Sequence, residues 1–255
     1  EAALTALQQV EATAGLSLLD NFAQVFATTN RNNAEIIFSL HFKKDERSDM
    51  YGSQLKPRDI FVQDAQNRND IAAAKNGARS QYMPSPRLEA VFSNPADTRK
   101  NASYIKAIGS NNQVIGVFDN KFRGTKDTDW FYDSDIIVYR FAEIFLMKAE
   151  ALAALNRVPD AITALNKTRL RAGAGAYAGA TDKTTVEKEI LNERFRELWL
   201  EQKRWPDMLR FHAAGTINVY NEVPNLNGKN VPLYFPIPKT QIDLNPNLVQ
   251  TDGYQ

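Results

Sequence analysis

Glu193 and Glu197, one helical turn apart in NERFRELWLEQ, come nearest in this 255-residue chain to a pair that could do acid–base chemistry. Four residues apart on a helix places Cβ atoms about 6 Å from each other. Glycosidic hydrolysis uses carboxyl pairs held about 5–5.5 Å apart for retention or about 6.5–9.5 Å for inversion. Arg194 and Arg204 lace the same face, so the spacing reads as a structural salt network. A second acidic set, Asp127, Asp129 and Asp133 in KDTDWFYDSD, has the hard oxygens that calcium takes. It departs from the helix–loop–helix calcium pattern, because Phe131 stands at the fifth position from Asp127. The glycines of RAGAGAYAGAT follow a helix and lack the third glycine of a phosphate loop. His41 and His212 are too few for a histidine triad, and the absence of cysteine excludes thiol catalysis and thiolate metal sites. With no nucleophile elbow, metal triad or phosphate loop, the chain reads as a non-enzyme that needs no cofactor.

Composition narrows the partners. Lys and Arg number 31 against 30 Asp and Glu, for a formal charge of +1, which supplies no basic field for nucleic acid. The most apolar stretch, 136 to 155, is broken by Arg140, Glu143, Lys148 and Glu150, well short of the ~18 uncharged residues of a membrane span. The opening EAALTALQQVEATAG has neither initiator Met nor a signal-peptide pattern and reads as mid-protein, with any anchor upstream.

The elements that must position any site follow from periodicity. Residues 1 to 27 read as two short helices parted at Gly15, the second carrying Leu18, Leu19, Phe22, Val25 and Phe26. EIIFSLHF, 35 to 42, is a strand. From about 43 to 137 the text is loop chemistry around short strands near 103 to 108 and 114 to 118, and so long an irregular stretch is more often functional than idle. Dense helix begins at Ile137, with Val138, Phe141, Ala142, Phe145, Ala149 and Leu152 at helical spacing. After NRVPD a second helix ends at Gly173. Ala149 and Ala161 occupy the small-residue positions of a tetratricopeptide repeat, where two helices approach closely. Residues 184 to 211 read as one further helix with a Leu191, Phe195, Leu198 and Trp199 stripe, and Glu193, Arg194, Glu197, Glu201 and Arg204 opposite. Prolines 232, 236, 238 and 246 predict an extended tail.

The fold class is therefore mainly α with small β content (α+β): tetratricopeptide-like helical hairpins plus an irregular loop-and-strand region. Three divisions follow: 1–34 as the end of an upstream helical region, 35–137 as the irregular candidate ligand surface, and 138–255 as a helical region with an extended tail.

Five blocks in order, EIIFSL, SPRLEAVF, IVYRFAEIFLMKAEALAAL, NERFRELWLEQKRWPDMLRF and YFPIPKTQIDLNPNL, resemble the carboxy-terminal portion of the SusD/RagB surface lipoproteins of Bacteroidetes. That resemblance covers nearly the whole chain. It implies a non-catalytic, outward-facing outer-membrane lipoprotein that captures glycans for a SusC-like TonB-dependent transporter. Its membrane attachment would come only through a lipid anchor upstream of these residues. Some members take peptides, so a RagB-like peptide receptor is the alternative, and a scaffold docking on the transporter is a third reading.

A glycan needs flat aromatic faces against the apolar C–H patches of its rings and planar polar groups at its hydroxyls. Trp130 and Tyr132 would form such a platform with Asp129 as an acceptor nearby. Tyr51 in DERSDMYGSQ and Tyr82 in QYMPSP are further stacking candidates, with Arg47 and Gln54 supplying hydrogen bonds. The plainer alternative for each aromatic is burial in a core edge, which exposure of Trp130 and Tyr132 would decide.

Overall fold

Leu4 and Leu7 lie on one face of the Ala-rich opening run and seat it as helix α1 (Ala2–Glu11). The computed structural model describes residues 1–43, 46, 50–72, 78–125 and 132–254, with the backbone alone at 50 and 51. The second helix expected before residue 27 is not formed. Ser17 N donates to Ala34 O at 3.0 Å and Leu19 N to Glu35 Oε2 at 2.9 Å, which commits this backbone to Glu35. Only a 3₁₀ turn, Phe22–Phe26, remains, with Asn21 as its N-cap.

Strand β1 (Ile36–Leu40) matches the expectation. The irregular region holds short helices α2 (Met50–Leu55), α3 (Pro86–Val91) and α4 (Arg99–Ser103), then the hairpin of β2 (Tyr104–Ile108) and β3 (Val114–Asp119). β2 and β3 pair antiparallel from Tyr104 opposite Asp119 to Ile108 opposite Val114. Helix was expected from Ile137, yet Ile136–Arg140 is strand β4, antiparallel to β1. Its β-branched Ile136, Ile137 and Val138 favour the pleated surface, and Phe141 N donates to Glu35 O at 2.8 Å across the pair.

Helices α5 (Phe141–Ala154) and α6 (Val158–Arg171) form the expected hairpin, and α1 packs on α5 as well. Ala149 and Ala161 are both fully buried, as close approach of two helices requires. Helix α7 (Lys183–Leu198) packs on α5 and α6. The single helix expected over 184–211 breaks after Leu198, and helix α8 (Arg204–Ala213) starts anew. Leu200 and Gln202 take left-handed φ values of 62° and 61° in the break.

Buried cations meet the end of α7. Lys121 Nζ donates to Glu197 O at 3.0 Å and Trp199 O at 2.8 Å, and Arg140 Nη2 donates to Glu197 O at 2.6 Å. These bonds satisfy carbonyls a helix end leaves open and set positive charge against the negative end of its dipole.

The acidic side of α7 was expected opposite the buried stripe, but its Glu193, Arg194 and Glu197 are buried as deeply as the stripe. Glu193 and Glu197 are 0% exposed, against 8% for Trp199. Arg99 joins Asp97, Glu193 and Glu197. Arg140 joins Glu35, Glu197 and Glu201, Arg171 joins Glu35 and Glu197, and Lys121 joins Glu201. Phe22 and Phe26 roof this cluster, with Lys121 Nζ 4.6 Å from the Phe26 centroid and the Arg171 guanidinium 5.2 Å from that of Phe22. Periodicity shows that two faces of a helix differ; it does not show which one is inside when both have partners.

The chain divides into compact units at 1–204 and 205–255, and the expected divisions at 34/35 and 137/138 both fall inside the first. In the second unit the tail is mostly irregular, as its prolines require, but carries helices α9 (Val219–Glu222) and α10 (Lys239–Leu244). Gln250 holds it by bonds to both N and O of Ile237.

Candidate functional site

The irregular region brings Gln54 and Tyr82 together. Leu55 is buried among Phe22, Phe26 and Phe122, which seats the end of α2 on the core. Lys56 is 2% exposed and donates to Asp119 Oδ2 at 3.1 Å and to Phe122 O, which pins the chain just beyond the helix. Segment 79–82 docks onto this anchored end. Arg79 N donates to Ser53 O, Ser80 N to Lys56 O, and Gln81 N and Tyr82 N to Gln54 O at 2.9 and 3.2 Å. The result is a short rigid ledge on which Tyr82 and Met83 each keep 48% exposure. Tyr51 lies on the same short helix as Gln54, three residues earlier, and its side chain is outside the described residues.

The acid-rich loop gives a different result. Arg47, Asp129 and Trp130 lie outside the described residues, as does Asp127. Tyr132 does not form an open platform: it is 5% exposed, and burial pushes its phenol up to about 12. Asp133 is not free to ligate either. It accepts from Thr125 N at 2.8 Å and Thr125 Oγ1 at 2.5 Å, while Arg31 donates to its main-chain oxygen at 2.6 Å. Asp135 pairs with Arg31 and with His41 Nδ1, the latter at 2.9 Å, so His41 is satisfied locally. His212 likewise sits 3.3 Å from Ile217 O. These loop carboxylates close turns. Among the described residues no cluster of three His, Cys, Asp or Glu could hold a metal.

Glu193 and Glu197 are unsuited to proton transfer. Burial alone would raise the Glu197 carboxyl, but Arg171, Arg140 and Arg99 outweigh it and hold the group well below the usual carboxylate range. Burial opposes Arg99 and Arg196 at Glu193 in the same way, and the cations again prevail. Both carboxylates are ionised, sealed from solvent and fully engaged. Lys56 was not foreseen, because a lysine in a loop is ordinarily solvated and nothing local marks this one as buried.

A recess of about 220 Å³ lies beside the α2 end, lined by Leu55, Phe122, Ile137, Val138 and Leu200. Most of its polar groups are already taken, the exposed Gln202 being the exception. Glu201 holds Lys121 and Arg140, while Lys203 Nζ reaches Val138 O at 2.8 Å and Glu143 at 3.0 Å. The aromatic in its lining, Phe122, is only 5% exposed, and the ledge of Tyr82 beside the half-buried Gln54 is the better sugar-compatible surface of the two.

A family model described as the SusD family matches residues 11–254. SusD-like protein P25 of Formosa agariphila is 27% identical, with 93% of this chain and 52% of that protein covered. The starch-binding protein SusD of Bacteroides thetaiotaomicron is 34% identical over 129 residues, covering 48% of this chain and 22% of that protein. A crystal structure of a SusD superfamily protein from Bacteroides fragilis superposes with a TM-score of 0.78 at 25% identity, covering 98% of this chain and 58% of that one. The chain thus spans about half the length of P25 and of that crystallised protein.

Proposed function

From the premise that the chain belongs to the SusD family, we propose that it binds glycans without chemistry, at the outer face of a bacterial outer membrane, for delivery to a SusC-like TonB-dependent transporter. The observation that carries this reading is the pairing of a 34% identical starch-binding relative with a rigid ledge that leaves Tyr82 48% exposed beside Gln54. The exposed phenol supplies a stacking face, and a glutamine amide can both donate to and accept from sugar hydroxyls. Trp130, Tyr51, Asp129 and Arg47 remain proposed contacts on the sequence reasoning. Tyr132 now serves as a buried support. Weak, reversible contact of this kind suits a hand-off, since release must follow capture.

The burial of Tyr132 favours a second reading, in which this part of the protein serves mainly as scaffold docking on the transporter. Affinity electrophoresis against starch, β-glucan, xylan, mannan and host glycans separates the two. Retardation by at least one polysaccharide supports the glycan reading. Uniform mobility in every gel overturns it in favour of scaffold or peptide capture.

A further inference from the structure

A second groove lies where the 3₁₀ turn Asp59–Phe61 faces the tip of the β2–β3 hairpin. Its volume is about 660 Å³, within the range of about 300–1,000 Å³ typical of small-molecule clefts. One set of walls is apolar: Ile60, Phe61 and Ile115 are 56%, 44% and 38% exposed. The other is polar: Asp64, Ser110 and Gln113, all solvent-facing.

This groove is preformed. Gln66 N donates to Ile108 O at 2.8 Å, and the Asn67 side chain bridges β2 by donating to Lys106 O at 2.8 Å and accepting from Ile108 N at 3.0 Å. Beneath, Val62, Ala65 and Ile71 pack against Ala107 and Phe118, so the floor is continuous with a core cluster. Gly109 lines the bottom, where an added Cβ would meet Ile115 Cγ2 at 2.9 Å. The Arg58 guanidinium lies over the Phe61 ring, 5.9 Å from its centroid, which orders the ring.

We infer that this groove is a second saccharide subsite, which takes a neutral sugar ring on Phe61 and its hydroxyls on Gln113, Asp64 and Ser110. The inference rests on the glycan reading above. A pyranose is amphipathic, with an apolar face and a hydroxylated edge, and the groove opposes an aromatic and aliphatic wall to an amide, a carboxylate and a hydroxyl. An extended peptide fits less well, because Gln66 and Asn67 already occupy the hydrogen-bonding positions of β2 that strand addition would use. Arg58 N donates to Ser80 Oγ at 2.7 Å, so the Phe61 turn adjoins the segment that carries Tyr82, and a single polymer engaging both subsites would let each be weak while the pair holds.

The test compares wild type, Phe61→Ala, Gln113→Ala and Tyr82→Ala in gels containing starch, β-glucan, xylan or mannan, followed by calorimetry with the retarding polysaccharide. Phe61 is solvent-facing and outside the core clusters, so Phe61→Ala is expected to keep the wild-type melting temperature. The expected result is that Phe61→Ala and Gln113→Ala each lower affinity at least about fivefold, the lower end of what an aromatic or amide anchor contributes. Combining Phe61→Ala with Tyr82→Ala should lower it further. If wild type is retarded and both groove variants match it, the second subsite is overturned and the glycan reading stands. If wild type is retarded by none of the polysaccharides, the glycan reading itself falls and the subsite with it.

Discussion

Arg140 and Glu197 meet twice: Nη1 of the guanidinium donates to carboxylate Oε1 at 2.6 Å, and Nη2 donates to the Glu197 main-chain oxygen at 2.6 Å. One contact neutralises a buried charge, and the other closes the end of α7. The two residues also connect distant parts of the chain, since Arg140 ends β4 and its guanidinium reaches Glu35 at the start of β1. Charge pairing thus sits where an apolar core would ordinarily join sheet to helix. Helix α2, which carries Gln54 and on which the Tyr82 segment docks, is anchored close to this cluster through Leu55 under Phe22 and Phe26.

Glu197→Gln should therefore destabilise the protein by about 3–5 kcal/mol, since it leaves Arg99, Arg140 and Arg171 with a neutral partner in a sealed site. Arg157→Ala, which breaks an ion pair with both side chains about half exposed, should cost less than about 1 kcal/mol. Urea unfolding monitored by circular dichroism reads both. Equal losses for the two variants would remove the buried network from its proposed structural role.

Acid should unfold the protein through the same carboxylates. Glu193, Glu197 and Glu201 are all lowered from the ordinary value of 4.5, because their cations outweigh the cost of burial. A folded-state value below the unfolded one means the unfolded chain binds more protons as pH falls. The stabilisation is therefore complete above about 4.5 and lost as pH drops through the lowered values. Melting temperature measured against pH should fall steeply there, and the slope should be shallower in Glu197→Gln. An unchanged slope in that variant would contradict the assignment.

Lys121 extends the same sign of pH dependence to the alkaline end. Burial lowers its ammonium to about 8, with Glu201 only partly offsetting the loss of water. Between about 8 and the ordinary 10.5 the unfolded chain holds the extra proton, so this group's contribution to stability rises with pH. The difference in unfolding free energy between wild type and Lys121→Met should move in favour of wild type across that window. A difference that stays flat would place the lysine's titration elsewhere.

Tyr82→Ala should weaken glycan binding by about 1–3 kcal/mol, the range for loss of an aromatic anchor, while leaving the melting temperature unchanged. The ring is half exposed and its ledge is held by main-chain bonds that alanine preserves. Loss of stability with retained affinity would assign Tyr82 to packing.

Helical spacing located α5, α6 and most of α7, and the Gly173 stop and the buried Ala149–Ala161 approach were legible from residue type alone. Strand β4 was hidden because Val138 and Phe141 fall at a helical interval while belonging to different elements. The break after Leu198 depends on Lys121 and Arg140, which arrive from remote parts of the chain, so no local signal announces it. The sequence identified Tyr82 and Gln54 as candidates but not their association, which rests on main-chain bonds between segments about 28 residues apart. The Phe61 groove was missed for a related reason. A phenylalanine in DIFVQD and a glutamine in SNNQV carry no individual mark, and only the Gln66–Ile108 and Asn67–Lys106 bonds bring their segments together.

The most direct test of the central claim is calorimetric titration of this chain with oligosaccharides cut from whichever polysaccharide retards it, followed by chromatography of the recovered sugar. The account predicts saturable heat in wild type, reduced affinity in Tyr82→Ala, and oligosaccharide recovered at its original length. Absence of heat with every glycan, or recovery of shortened chains, would contradict non-catalytic glycan binding.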